Sequence, residues 1–471
     1  MPAPISTKPD LGILAILLVG VFVTILDFFI VNVAIPSIQR DLHARPAEIQ
    51  FVVAGFALAY GSGLIIGSRF GDIFGRRRMF MLGMAVFMIS SAACGTAPDA
   101  VFLVVSRVVQ GMSAALMAPQ VLSIIGTVYT GQARARAVSV YGVATGIAAV
   151  FGQLIGGLLI HGNIFGWGWR TCFLINVPIC LATLILTPRF VPESRVPGRR
   201  GLDLGGMILI ALALLAVALP LIEGRQEGWP TWAWACLAAA VPLFALFVFY
   251  EQRVKQRQRS PLIDLSLFRE RAFAVGLAAQ LTFYSGVSSF FLVLALYLQL
   301  GRGFGPLESG LIFVALGAGY IVTSTSARRI AMKLGRQVIA LGGLLRAVAL
   351  ALLLLIIAAA GVTGRIEWFI PALIIDGAGM GLALVPLAST VLSRITLEHT
   401  GAASGALATA QQVGNGLGVA IIGVIFYSAL PAAPDVHGYT NAFRLSLGYV
   451  IGVSVFLALL VQLLPRRAGP Q

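Results

Sequence analysis

Four charged side chains, Asp27, Arg107, Arg346 and Asp376, stand where the surrounding sequence offers them no water. Asp27 lies in an apolar run from about 11 to 38, deep enough to sit roughly 24 Å along a helix at 1.5 Å per residue. Arg107 falls early in the run 100–128, and Asp376 falls in the run 368–391. A charge at such depth is costly, so an intramembrane acid or base reads first as part of an ion or substrate path. An acid there suits the exchange of a proton for a cationic substrate. The bland reading of Asp27 is a structural acid, protonated or bonded to Asn32 about one turn on. Arg107 either manages the proton of a nearby acid or tethers backbone carbonyls of an adjacent helix. For Asp376 the alternatives are a substrate or ion site and a pair with Arg346. Counting rise along each helix leaves Arg346 roughly 21 Å and Asp376 roughly 12 Å below one face, a long reach for a direct bond.

Other polar residues lie inside apolar runs. Gln153, Gln280, Tyr284, Gln412 and Asn415 are candidates to line a polar cavity. Phe28 and Phe29 are candidates to stack on an aromatic or cationic substrate. Taken one at a time, each is more often ordinary packing. Enzyme constellations are missing: there is no GxxxxGK[ST], no GxSxG and no HExxH. The four His fall in or near loops, and the four Cys form no CxxC. The expectation is a protein that is not an enzyme, binds no metal or cofactor, and draws on a proton gradient.

The elements that must hold these residues follow from composition. Hydrophobic residues make up 58% of the 471, and charged residues only 11%. Soluble domains carry roughly 25% charged residues, so lipid is the expected solvent. Runs long enough to span hydrocarbon, roughly 20 residues each, recur near 11–38, 47–68, 79–97, 100–128, 137–161, 169–188, 204–223, 231–250, 272–298, 309–327, 337–360, 368–391, 401–429 and 441–464. Fourteen helices are the expected form, because a helix satisfies its own backbone groups. The first run is too long for a signal-peptide core.

Lys and Arg set the orientation. The N-terminus, every second connection and the C-terminus hold 24 of the 33, Lys8, Arg76, Arg134, Arg199, Arg200, Arg259, Arg394, Arg466 and Arg467 among them. The other side holds seven, and Arg107 and Arg346 lie inside runs. Both termini are therefore expected on the cytoplasmic side. The placement also accounts for the net charge of +15 without a nucleic-acid partner.

A weak internal repeat is present. Ser68–Arg78 reads SRFGDIFGRRR and Arg328–Val338 reads RRIAMKLGRQV, with Gly75 aligned on Gly335 and Arg76 on Arg336. The chain then parses as six helices in 1–190, two inserted helices with their flanking loops in 191–271, and six more in 272–471. Repeated six-helix halves with a mid-membrane substrate are a transporter plan. The glycines Gly142, Gly146, Gly152 and Gly156 suggest close contact by the fifth helix.

Gly71-Asp72-Ile73-Phe74-Gly75-Arg76-Arg77-Arg78 resembles the signature loop of the major facilitator superfamily. Four further segments resemble motifs of its fourteen-helix drug:proton antiporter branch: Leu26–Pro36, Arg107–Gly111 with Gln110, Gly152–Gly157, and Gly401–Gly405 followed by Gln412 and Gly414. Three positions depart from the pattern. Phe29 stands for a Thr, Ser68 for a Gly, and Gln153 for a Pro. The resemblance implies a major-facilitator fold of two pseudo-symmetric six-helix bundles, with coupling or substrate roles for Asp27, Asn32, Arg107 and Gln110. Asp72, Gly75, Arg76 and Arg77 read as a conformational latch, beside the bland reading that these charges only enforce topology. In mechanical terms, Gly71 and Gly75 permit a tight turn, and Asp72 can meet the positive end of a helix.

The expected protein is thus a monomeric, proton-coupled exporter of lipophilic or cationic small molecules in a bacterial cytoplasmic (inner) membrane, touching protons, lipids and substrate. Two alternatives stand beside it: an exporter of one native metabolite or lipid, and a non-transporting receptor or scaffold.

Overall fold

Backbone N–H and C=O groups in apolar runs of 19–32 residues have no water to bond, so each run closes its own hydrogen-bond ladder. A computed structural model describes residues 11–195, 203–225, 227–257, 265–360, 364–392, 400–431 and 433–464. Lys8, Arg199, Arg200, Arg259, Arg394, Arg466, Arg467 and His399 lie outside these residues. Among the described residues there is no strand, and fourteen helices are long and apolar enough to cross a membrane. They are α1 Leu11–Asp41, α2 Pro46–Phe74, α3 Arg76–Gly95, α4 Ala100–Val128, α5 Gly131–Gly162 and α6 Gly168–Phe190. Then follow α7 Leu204–Glu223, α8 Thr231–Gln256, α9 Arg271–Leu296, α10 Pro306–Leu334, α11 Gln337–Ala360, α12 Phe369–Leu392, α13 Thr400–Ser428 and α14 Val436–Leu460.

The expected loop between the second and third runs is not a loop. α2 continues through Phe74, and α3 starts at Arg76, with only Gly75 between them at φ +109°. Gly71 makes no turn. It is helical, and a Cβ there would lie 1.9 Å from the Gln120 side chain. Apolar counting drops the Arg-rich end of a helix because charge lowers hydropathy without stopping the ladder.

The chain forms two compact units, Met1–Ala211 with Phe249–Leu262, and Leu212–Val248 with Ile263–Gln471. In the first, α1 packs on α5 and α6, α4 on α2 and α3, and α3 on α6. In the second, α9 packs on α13 and α14, α12 on α10 and α11, and α11 on α14. These are the same pairings, six helices later in each set once α7 and α8 are skipped. α8 is the most exposed helix of the fourteen, with 17% of its apolar stretch buried against 72% for α1.

Small residues make the repeated contacts possible. A Cβ on Gly156 of α5 would lie 3.1 Å from Ile30 O of α1, and one on Gly418 of α13 would lie 2.4 Å from Ser285 O of α9. Gly152 and Gly156 thus meet the expectation for the fifth helix. Gly142 does not, because nothing lies within 4 Å of its Cβ position. The repeat extends to the opposite ends of α2 and α10, which open Arg45-Pro46-Ala47-Glu48 and Gly305-Pro306-Leu307-Glu308. In both, the Glu carboxylate accepts the backbone N–H three residues earlier at 2.8 Å, and Pro fills a position where no N–H is needed.

Candidate functional site

Asp27 is fully buried on α1, and five helices converge on it. Its Oδ1 accepts from Gln110 Nε2 of α4 at 3.0 Å and from Asn176 Nδ2 of α6 at 2.8 Å. Its Oδ2 accepts from Arg107 Nη1 of α4. Arg107 Nη1 also donates to Gln110 Oε1 at 2.8 Å, and Arg107 Nε donates to Val52 O of α2 at 2.9 Å. Ser91 of α3 closes the set: its Oγ accepts from Gln110 and Asn176 and donates to Phe173 O. The Arg107 guanidinium lies 4.3 Å from the Phe56 ring centroid and 5.6 Å from that of Phe173, a favourable seat for a cation.

Local sequence explains the convergence. Arg107 and Gln110 are three residues apart and share a face of α4. Gly111 beside them lets α2 approach, since a Cβ there would lie 2.3 Å from Phe56 O. The tether reading of Arg107 is met, with Nε holding Val52 O of the next helix, and the same side chain also contacts the acid. Buried ion pairs seldom outdo apolar packing in stability, so the pair is not accounted for as a stabiliser of the fold.

Asn32 is not part of the set. Five residues turn a helix by about 140°, so Asn32 points away from Asp27. It is buried, and its Oδ1 has no hydrogen-bond partner. The groups that replace it, Ser91 and Asn176, were missed in the sequence because they are uncharged and belong to no motif. The available signal was weak: Asn176 is a lone amide in the apolar stretch Phe173–Cys180.

Phe28 and Phe29 are buried and meet each other edge to face at 4.9 Å, with Phe28 also 6.0 Å from Phe56. Gln153 is fully buried, and neither its Oε1 nor its Nε2 has a partner.

At the junction of α2 and α3, Arg76 donates to Asp72 Oδ1 through Nε at 3.2 Å and Nη2 at 2.9 Å, and to Ser123 O of α4. Sequence reading missed Glu193, just past α6. Its carboxylate accepts from the backbone N–H of Arg77 and Arg78 at 3.1 and 3.2 Å, capping the start of α3. Arg77 Nη1 donates to Val191 O. The second unit repeats the plan with other chemistry. Gly335 has φ +56°, Arg336 donates to Leu464 O, and Gln337 and Gln462 bond each other.

The Arg346 to Asp376 gap inferred from helical rise is closed. Arg346 Nε donates to Asp376 Oδ1 at 2.9 Å, and both side chains are buried. Counting misjudged the reach because the Arg stem runs along the neighbouring helix. Gly379, three residues past the acid, has its Cβ position 2.6 Å from Arg346 Cγ. Gln280 and Tyr284 lie on α9, and Gln412 and Asn415 on α13, which packs against it. Asn415 Nδ2 donates to Gln412 Oε1 at 2.8 Å, and Ser288 Oγ to Asn415 O at 3.0 Å. A cavity of about 400 Å³ opens elsewhere, between Leu334, Leu344, Val455 and Leu459, and is nearly all apolar. Among the described residues no three His, Cys, Asp or Glu side chains are grouped to hold a metal.

Residues 17–419 match the family model described as Major Facilitator Superfamily. The chain is 36% identical to the probable actinorhodin transporter of Streptomyces coelicolor, across 88% of this chain and 72% of that protein. It is 32% identical to the puromycin resistance protein pur8 of Streptomyces alboniger, across 96% and 90%. A solved POT family transporter in complex with 5-aminolevulinic acid superposes at TM-score 0.70, covering 97% of each chain at 17% identity, which speaks for the fold alone. Fourteen apolar helices, the same packing order in both units and a match across most of the sequence place this chain in the major facilitator superfamily.

Proposed function

We propose that the chain is a proton-coupled exporter of antibiotics and other lipophilic or cationic toxic small molecules, working by alternating access. Its place is a bacterial cytoplasmic membrane, with both termini in the cytoplasm, and it works as a monomer without a cofactor. The observation that carries this reading is the fully buried carboxylate of Asp27, held by Arg107, Gln110 and Asn176. A proton on Asp27 removes the attraction to Arg107, which then turns to other acceptors. That exchange links protonation to a rearrangement among α1, α4 and α6. The curated relatives, named for antibiotic transport and resistance, favour export as the direction. The Asp72–Arg76 pair and the Glu193 cap serve as contacts that favour one state of the first unit.

Efflux from everted vesicles, scanned over a panel of antibiotics and organic cations with and without a proton gradient, tests the reading. Full proton-driven efflux by Asp27→Asn would remove the coupling role. A second reading, export of one native metabolite, is favoured by the 36% likeness to a transporter named for a single compound. A panel in which one chemical scaffold alone moves would select it.

A further inference from the structure

The ion pair in the second unit is only half made. Arg346 Nε holds Asp376 Oδ1, yet Asp376 Oδ2 and Arg346 Nη2 have no hydrogen-bond partner, although each residue is 1% exposed. An Arg that offers Nε to one carboxylate oxygen ordinarily offers Nη2 to the other, as a fork. Asp27 differs in kind, because both its oxygens are occupied. A proton reaching Asp27 must share an oxygen that a donor already holds. A proton reaching Asp376 Oδ2 displaces nothing.

We propose that Asp376 is a second proton-binding site, which takes its proton on Oδ2. Oδ1, then the carbonyl oxygen of a neutral acid, goes on accepting from Arg346 Nε. No bond is broken, and the pair changes from neutral to a single positive charge. The packing explains why the occupant is a proton and not a substrate group. A Cβ on Gly377 would lie 1.9 Å from Leu316 O of α10, and one on Gly379 would lie 2.6 Å from Gly342 O of α11. Backbone meets backbone at these two glycines, one and three residues past an acid that is itself 1% exposed, so the pocket at Asp376 is tight.

The charged groups around it are few. Of the helices packed on α12, α11 carries Arg346 in mid-span. α10 carries Glu308 in its first turn and Arg328, Arg329 and Lys333 in its last two. α9 carries Arg271 as its first residue, and α13 carries no charge. The phenols on these helices are Tyr284, Tyr320 and Tyr427. Arg346 is thus the partner that responds when Asp376 is neutralised. With Asp27, each unit then holds one proton-binding carboxyl.

This deepens the proton-coupled reading and rests on it, but the test does not need transport. The full chain, reconstituted in liposomes, is titrated while its infrared difference spectrum is recorded. The expected result is a carbonyl stretch of a protonated carboxyl that is present in the wild type, kept in Asp27→Asn and lost in Asp376→Asn. A spectrum of Asp376→Asn identical to the wild type overturns the proposal. If Asp376→Asn fails to fold, Asp376→Glu decides: a displaced carboxyl band supports the site, and an unmoved spectrum overturns it. Puromycin efflux from the same liposomes separates the two ideas. The Asp376 band without proton-driven puromycin flux counts against the exporter reading and leaves this site standing.

Discussion

Arg107 Nη1 donates to two acceptors at once, Asp27 Oδ2 on α1 and Gln110 Oε1 on its own helix. One nitrogen therefore ties two helices together, and the acid cannot change its charge without changing that tie.

Removing the acid and keeping the base leaves a buried charge unpaired, which costs about 3–5 kcal/mol. Asp27→Ala is expected to destabilise the detergent-solubilised protein by that order, read as a lowered thermal midpoint. Asp27→Asn keeps an oxygen for Arg107 and is expected to fold near normally while losing proton-driven efflux. Adding Arg107→Gln to Asp27→Ala is expected to recover part of the lost stability, and no recovery would show that the pair does not set it.

The contact of α5 on α1 rests on the absence of side chains. Gly156→Leu would push atoms into Val33 and Ile30, whose side chains lie 2.6 and 2.7 Å from the Cβ position. Overpacking of this kind costs about 1–3 kcal/mol. A Cβ on Gly142 of the same helix meets nothing within 4 Å, and Gly142→Leu is expected to be near neutral. Equal losses in the two variants, measured by thermal unfolding, would count against close packing as the role of Gly156.

At the α2–α3 junction, Gly75 has φ +109°, and its Cβ position lies 2.8 Å from the Glu193 carboxyl carbon. Gly75→Ala is expected to cost about 1–2 kcal/mol from the backbone conformation alone. Glu193→Ala uncaps α3 and is expected to speed trypsin cleavage after Arg77 and Arg78. Unchanged cleavage rates would show that Glu193 does not hold the junction.

Gln153 is buried with both amide atoms unpaired. Replacing an unsatisfied polar group by an apolar one of similar shape recovers its desolvation cost, about 1–3 kcal/mol. Gln153→Leu is expected to raise the thermal midpoint. Selective loss of one substrate in the efflux panel would show that the amide is kept for ligand recognition, while a lowered midpoint would contradict the account of its burial.

The sequence by itself determined the fourteen helices, the family and the four deep charges. Each follows from local composition: an apolar run long enough to span, or a charged residue inside one, can be read without knowing its neighbours. The repeat at Gly75 and Gly335 was legible because a positive φ leaves a glycine behind. What occupies each charge was decided by the tertiary structure alone. Asn176 lies 149 residues from Asp27, and Glu193 lies 116 from Arg77, and no pattern in a single chain links such positions. The expected partner Asn32 failed on helical angle, and the expected gap between Arg346 and Asp376 failed on the direction of a flexible side chain. Helical rise fixes where an α-carbon stands, but the reach of a long side chain depends on which glycine of the next helix lets it pass, as Gly379 does for Arg346.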